Sequence, residues 1–79
     1  MATERQYELA DAKRAGKTLL LIDTKTRQRY KAGDVLHSFR GESYTLASFD
    51  PRRVYVQRAG IESFFPSVFG CEVVIEDEL

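Results

Sequence analysis

The chain has 79 residues, of which 43% are hydrophobic, 30% charged and 11% aromatic, a globular composition that excludes the disordered and collagen-like classes. One cysteine, Cys71, and one histidine, His37, exclude an internal disulfide framework and the usual multi-cysteine or multi-histidine metal sites. Net charge is zero, but residues 17–58 carry nine cations against four anions and residues 59–79 carry five acids with no Lys or Arg, which points either to an electrostatic partner or to an acidic last strand lying beside a basic one.

Length allows one small domain, residues 1–79, whose fold buries only about 60% of the unfolded surface. The longest apolar run, Leu19 to Ile22, is four residues, far short of the ~20 that cross a membrane. The polar, charged start does not read as a secretory signal. A cytoplasmic protein without membrane, metal or cofactor is expected.

Thr3-Glu4-Arg5-Gln6 is a capping box, with the threonine oxygen accepting from the amide three residues on and Gln6 reaching back. Glu4 and Glu8 near the start, Lys13 and Arg14 near the end and Gly16 as the stop predict a helix over 3–15. Its apolar content is thin, so the helix is expected at the periphery. Thr18 to Thr24 is an apolar run of strand length. Arg27 to Lys31 alternates, Val35 to Phe39 resumes after Gly33-Asp34, and Ser43 to Phe49 is rich in β-favouring types. Arg53 to Gln57 alternates at period two, Phe64-Phe65 follows, and Cys71 to Glu76 closes with Cys71, Val73 and Ile75 on one face. Breaks every eight to twelve residues predict an α+β domain, an N-terminal helix followed by a small antiparallel barrel of five or six strands over 18–76.

Three landmarks of 18–76 resemble the Src-homology-three type of barrel. Tyr30-Lys31-Ala32-Gly33-Asp34-Val35-Leu36 is similar to that family's basic–glycine–aspartate–aliphatic segment, and Tyr44 to Phe49 and Arg53 to Gln57 fall where its central hairpin lies. Ile61 to Phe69 is similar to its ending, a strand leading through proline–serine into a short 3₁₀ turn, with Phe69 in place of the closing tyrosine. The resemblance implies a barrel of that shape. It does not carry over proline-peptide binding, because the opening strand holds no aromatic residue, the Lys25–Arg29 loop is basic and short, and there is no tryptophan. Stacking on a polyproline helix needs such aromatic ridges. Phe39 to Leu46, Arg53 to Val56 and Phe64 to Gly70 are also similar to small uncharacterised proteins of phages and mobile elements, which bring no activity with them.

Two candidate surfaces follow. Tyr44, Tyr55, Pro66 and Phe69 are expected to form an exposed aromatic edge that meets a protein partner or a second copy, the first function expected for a non-enzymatic interaction module. Lys25, Arg27, Arg29 and Lys31 recur at period two, which on a strand gives one face with cations about 6.5 Å apart. With Arg53 they define the alternative, a nucleic-acid-binding accessory protein in which tyrosines and Phe39 stack on bases. The same cations on an edge strand also simply oppose aggregation.

The other chemistry-bearing residues read as structural. His37 lies in an apolar strand without ligand neighbours, and Cys71 has no basic neighbour to activate its thiol. No motif joins a serine to His37 and an acid. Phe64, Phe65, Val68 and Phe69 put four large apolar residues in six positions, more than a thin core takes, so one or two are expected at the surface.

Overall fold

The computed structural model describes residues 3–79; Met1 and Ala2 of the expected 1–79 domain lie outside it. Helix α1 spans Glu4–Arg14 and opens with the expected box: Thr3 Oγ1 accepts from Gln6 N–H at 3.2 Å, and Thr3 N–H donates to Gln6 Oε1 at 2.9 Å. Only Leu9 and Ala12 of α1 are buried, which fits its thin apolar content. It ends before Gly16, whose φ of 83° lies in the left-handed region that glycine enters without steric cost. The helix rests against the first and last strands of the chain.

Seven strands follow: β1 Leu19–Asp23, β2 Arg29–Tyr30, β3 Val35–His37, β4 Ser43–Phe49, β5 Val54–Gln57, β6 Ile61–Phe64 and β7 Cys71–Ile75. A 3₁₀ turn, Pro66–Phe69, joins β6 to β7, and a second, Glu76–Glu78, follows β7. The strands form two antiparallel sheets, β2-β1-β7 and β3-β4-β5-β6. This corrects the expected single barrel of five or six strands: the domain is α+β, but its strands are not hydrogen-bonded into one closed ring. The Lys31–Asp34 turn, with Gly33 at φ 96°, carries the chain from β2 in one sheet to β3 in the other. Within the second sheet β4 shifts register against β5 between Leu46 and Ser48, a bulge of the kind that bends a strand.

Alternation then sets the core. Leu36, Tyr44, Leu46, Val54 and Val56 from one sheet meet Leu21, Cys71 and Val73 from the other, with Leu9 and Phe69 completing the cluster. Tyr44, Phe64 and Phe69 form a mutual edge-to-face trio with centroids 5.4–5.6 Å apart, the arrangement that ring quadrupoles favour. Backbone bonds extend the β3–β4 pairing, Gly33 N–H to Leu46 O and Leu46 N–H to Asp34 O, each 2.8 Å, and Phe39 N–H donates to Val68 O of the 3₁₀ turn at 3.1 Å.

Candidate functional site

The expected row of cations does not exist as a strand face. Lys25 and Arg27 lie in the β1–β2 turn, Arg29 is in the two-residue β2, and Lys31 follows it. Asp23 makes the turn: its Oδ1 accepts from Lys25 N–H at 2.8 Å and Thr26 N–H at 2.9 Å. The amides of Thr26 and Lys25 hold its carboxyl below the ordinary range. Arg27 takes φ 65° there. Carboxylates meet most of the row, with Arg27–Glu72 at 3.9 Å, Arg29–Glu76 at 3.8 Å and Lys31–Asp34 at 3.7 Å. The acidic last segment therefore faces the basic stretch across β1, and the charge segregation pairs internally. Each pair is exposed and adds little stability, but it lowers the local positive field.

The expected aromatic edge is also revised. Tyr44 is only 8% exposed and Phe69 7%; both belong to the aromatic trio, because their positions point them into the thin space between the sheets. Tyr55 is half-buried, and its hydroxyl donates to Asp50 Oδ2 at 2.7 Å. Asp50 in turn accepts at Oδ1 from Arg52 and Arg53 N–H, both at 2.8 Å. Burial raises the Asp50 pKa, yet the Tyr55 hydroxyl and the two amides outweigh it and hold the group below the ordinary value. Pro66, half-buried, begins the 3₁₀ turn. The expected surface thus loses Tyr44 and Phe69 and keeps parts of Tyr55 and Pro66.

Other apolar groups stand out of the fold. Ile61 is 64% exposed, Phe65 48% and Phe39 76%. Phe65 is the exposed member of the Phe64–Phe69 cluster, part of which is expected outside, whereas Ile61 is not among the expected surface residues. Parity was the available signal: Val54 and Val56 point inward, and Gln57 opposite Ile61 points outward. Ile61 and Ser63 share that outer face, and Phe65 lies two residues on in extended backbone at φ −70°, ψ 144°. The Arg53 guanidinium sits 4.6 Å from the Phe65 ring centroid, within cation–π range. Arg40 similarly lies 5.6 Å from the Phe39 ring. Among the described residues, Arg40, Arg52 and Arg53 form no ion pair. Two clefts of about 300 and 510 Å³ lie between α1 and the Asp50–Arg53 turn; they share Gln6, Pro51 and Arg52, and the smaller reaches Phe65 and Pro66.

No convergent catalytic set accompanies these surfaces. His37 Nδ1 lies 3.2 Å from Ser43 Oγ, a cross-strand contact set by the β3–β4 register, and no described carboxylate contacts the ring. Cys71 is 4% exposed, and burial pushes its thiol up to about 11. Among the described residues no three of His, Cys, Asp or Glu are placed to hold a metal, and no helix is long and apolar enough to cross a membrane. No protein-family model, no curated protein and no solved structure matches the chain.

Proposed function

We propose that the chain is a small, non-enzymatic, cytoplasmic protein-interaction domain whose contact surface is the outer face of β6 with Phe65 and Pro66, backed by Arg53 and Tyr55. The observation that carries this reading is the exposure of Ile61 and Phe65 at one sheet edge, with an unpaired arginine stacked on the phenylalanine. Aromatic residues and Arg are enriched at protein interfaces, and grouped exposed apolar side chains mark them. The alternative, nucleic-acid binding through Lys25, Arg27, Arg29, Lys31 and Arg53, is weaker: three of the five meet carboxylates and Arg53 is turned onto Phe65, whereas such binding depends on free cations.

A Src-homology-three-like relationship remains part of the proposal. It is supported by the 3₁₀ turn at Pro66–Phe69, where the resemblance places proline–serine and a short turn. Proline-peptide recognition is not, since Tyr44 and Phe69 supply packing rather than an open ridge.

The test is a photo-crosslinking benzoylphenylalanine in place of Phe65, compared with one in place of Lys25, in the cells that make the protein. Capture of protein at position 65 is expected. Capture of nucleic acid at position 25, with none of protein at 65, would contradict the reading.

A further inference from the structure

The order β3-β4-β5-β6 leaves β6 as an outer strand, and among the described residues β5 is the one strand paired with it. Edge strands left bare invite pairing, and proteins blunt them by shortness, charge, proline or a cover. The other edges here are shorter or covered: β2 has two residues, β3 has three, and β7 packs on the Pro66–Phe69 turn. By contrast, β6 runs four residues, Ile-Glu-Ser-Phe, with Glu62 as its one charge and no proline. Its outer face continues into Phe65.

We infer that the partner of this surface is a second copy of the chain, joined β6 to β6 in antiparallel register about a two-fold axis at Ser63; this rests on the interaction reading above. Hydrogen-bonded and non-hydrogen-bonded pairs alternate along an antiparallel ladder. A two-fold axis normal to it must therefore pass where a residue faces its own copy. Two centres lie in the middle of β6. An axis at Glu62 opposes two carboxylates directly, which is destabilising, and sets Ile61 against Ser63. An axis at Ser63 opposes two hydroxyls and sets Ile61 of each copy against Phe65 of the other. The two exposed apolar groups then cover one another twice, in a self-complementary contact of the kind a two-fold dimer requires. Pro66, lacking an N–H, ends the ladder.

So short a ladder places the dimer at the weak end of interfaces, and it forms and dissociates with concentration. Sedimentation equilibrium from about 10 μM to about 1 mM spans the affinities such contacts reach. The apparent mass is expected to climb from 9.0 kDa toward twice that value. Ile61→Lys and Phe65→Lys, both at exposed positions and checked for unchanged circular dichroism, are expected to stay monomeric, while Val35→Lys on the β3 edge still associates. On oxidation Ser63→Cys is expected to give a disulfide-linked dimer, since opposed Cβ atoms lie about 4.5–5.5 Å apart, whereas Glu62→Cys, two register steps from its copy, does not cross-link. Buried Cys71 stays out of the exchange. A wild-type chain that is monomeric throughout, association surviving both lysine variants, or Glu62→Cys cross-linking in preference to Ser63→Cys would each overturn self-pairing. A monomer whose position 65 still captures another protein ends self-pairing and leaves the interaction reading standing; a monomer that captures none ends both.

Discussion

Arg5 on α1 and Glu78 in the second 3₁₀ turn, 73 residues apart in the chain, form a two-armed ion pair in which Arg5 Nη1 lies 2.9 Å from Glu78 Oε2. Ile75 N–H also donates to Glu78 Oε1 at 2.8 Å. Arg5 bonds Glu8 on its own helix as well, so one guanidinium fixes the helix start to the end of β7. It is a polar tie beside the apolar one made by Leu9 and Ala12.

The first prediction follows from that pair. The Arg5 guanidinium and the Ile75 amide hold the Glu78 carboxyl down to about 2, against an ordinary 4.5. A depressed carboxyl contributes stability fully above its unfolded pKa and loses it as pH falls through the folded one. Both side chains are more than a third exposed, so screening reduces the contribution to at most about 1 kcal/mol. Thermal melts are expected to show Glu78→Gln less stable than wild type at pH 7, with the gap closing between pH 4.5 and pH 2.

Phe69 supplies the second. Because it fills the trio with Tyr44 and Phe64, Phe69→Ala is expected to cost about 3–5 kcal/mol. Urea denaturation checks this. A variant with unchanged stability would return Phe69 to the surface.

The Asp50 turn supplies the third. Asp50→Ala removes acceptors for Arg52 N–H, Arg53 N–H and the Tyr55 hydroxyl, and is expected to cost about 1–3 kcal/mol. Tyr55→Phe removes one of those bonds and costs about 0.5–1.5 kcal/mol. The double variant is expected to be less destabilised than the sum, as chemical denaturation of all four proteins would show. With its folded pKa lowered, Asp50 stabilises at neutral pH and loses that contribution as acid protonates it.

Cys71 supplies the fourth. Its thiol is held at about 11 by burial first and by the Asp23 charge second. At pH 8 the folded chain is expected to react with a thiol-specific disulfide reagent far more slowly than the denatured chain. Equal rates would place the sulfur at the surface.

Much of the fold was legible in local chemistry. The Thr3–Gln6 box marked the helix start and the β4 segment Ser43–Phe49 has the expected bounds; of the face Cys71, Val73 and Ile75, the first two are buried and Ile75 is half-buried, while Val74 on the opposite face is buried as well. Closure was not legible, because it depends on which strands distant in the chain pair, β1 with both β2 and β7 in one sheet and β3 to β6 in the other, and local alternation does not carry that. The site was less legible still. Period two among Lys25, Arg27, Arg29 and Lys31 presupposed a strand, but Asp23 side-chain acceptors bend the first two into a turn. Phe69 is expected outside because it stands where the resemblance has the closing tyrosine of the 3₁₀ turn; the turn is present, but the ring packs on Tyr44 and Phe64. Val54 and Val56, both inward, did carry the parity that leaves Ile61 outward through its pairing with Gln57.

The most direct measurement is an amide chemical-shift titration of the isotopically labelled chain, first with its own concentration and then with a single-stranded oligonucleotide at low salt. Shifts concentrated at residues 61–65 on raising protein concentration, with residues 25–31 unmoved by the oligonucleotide, are the predicted result. Saturable movement of residues 25–31 with the oligonucleotide, and none at 61–65 at any concentration, would contradict the account.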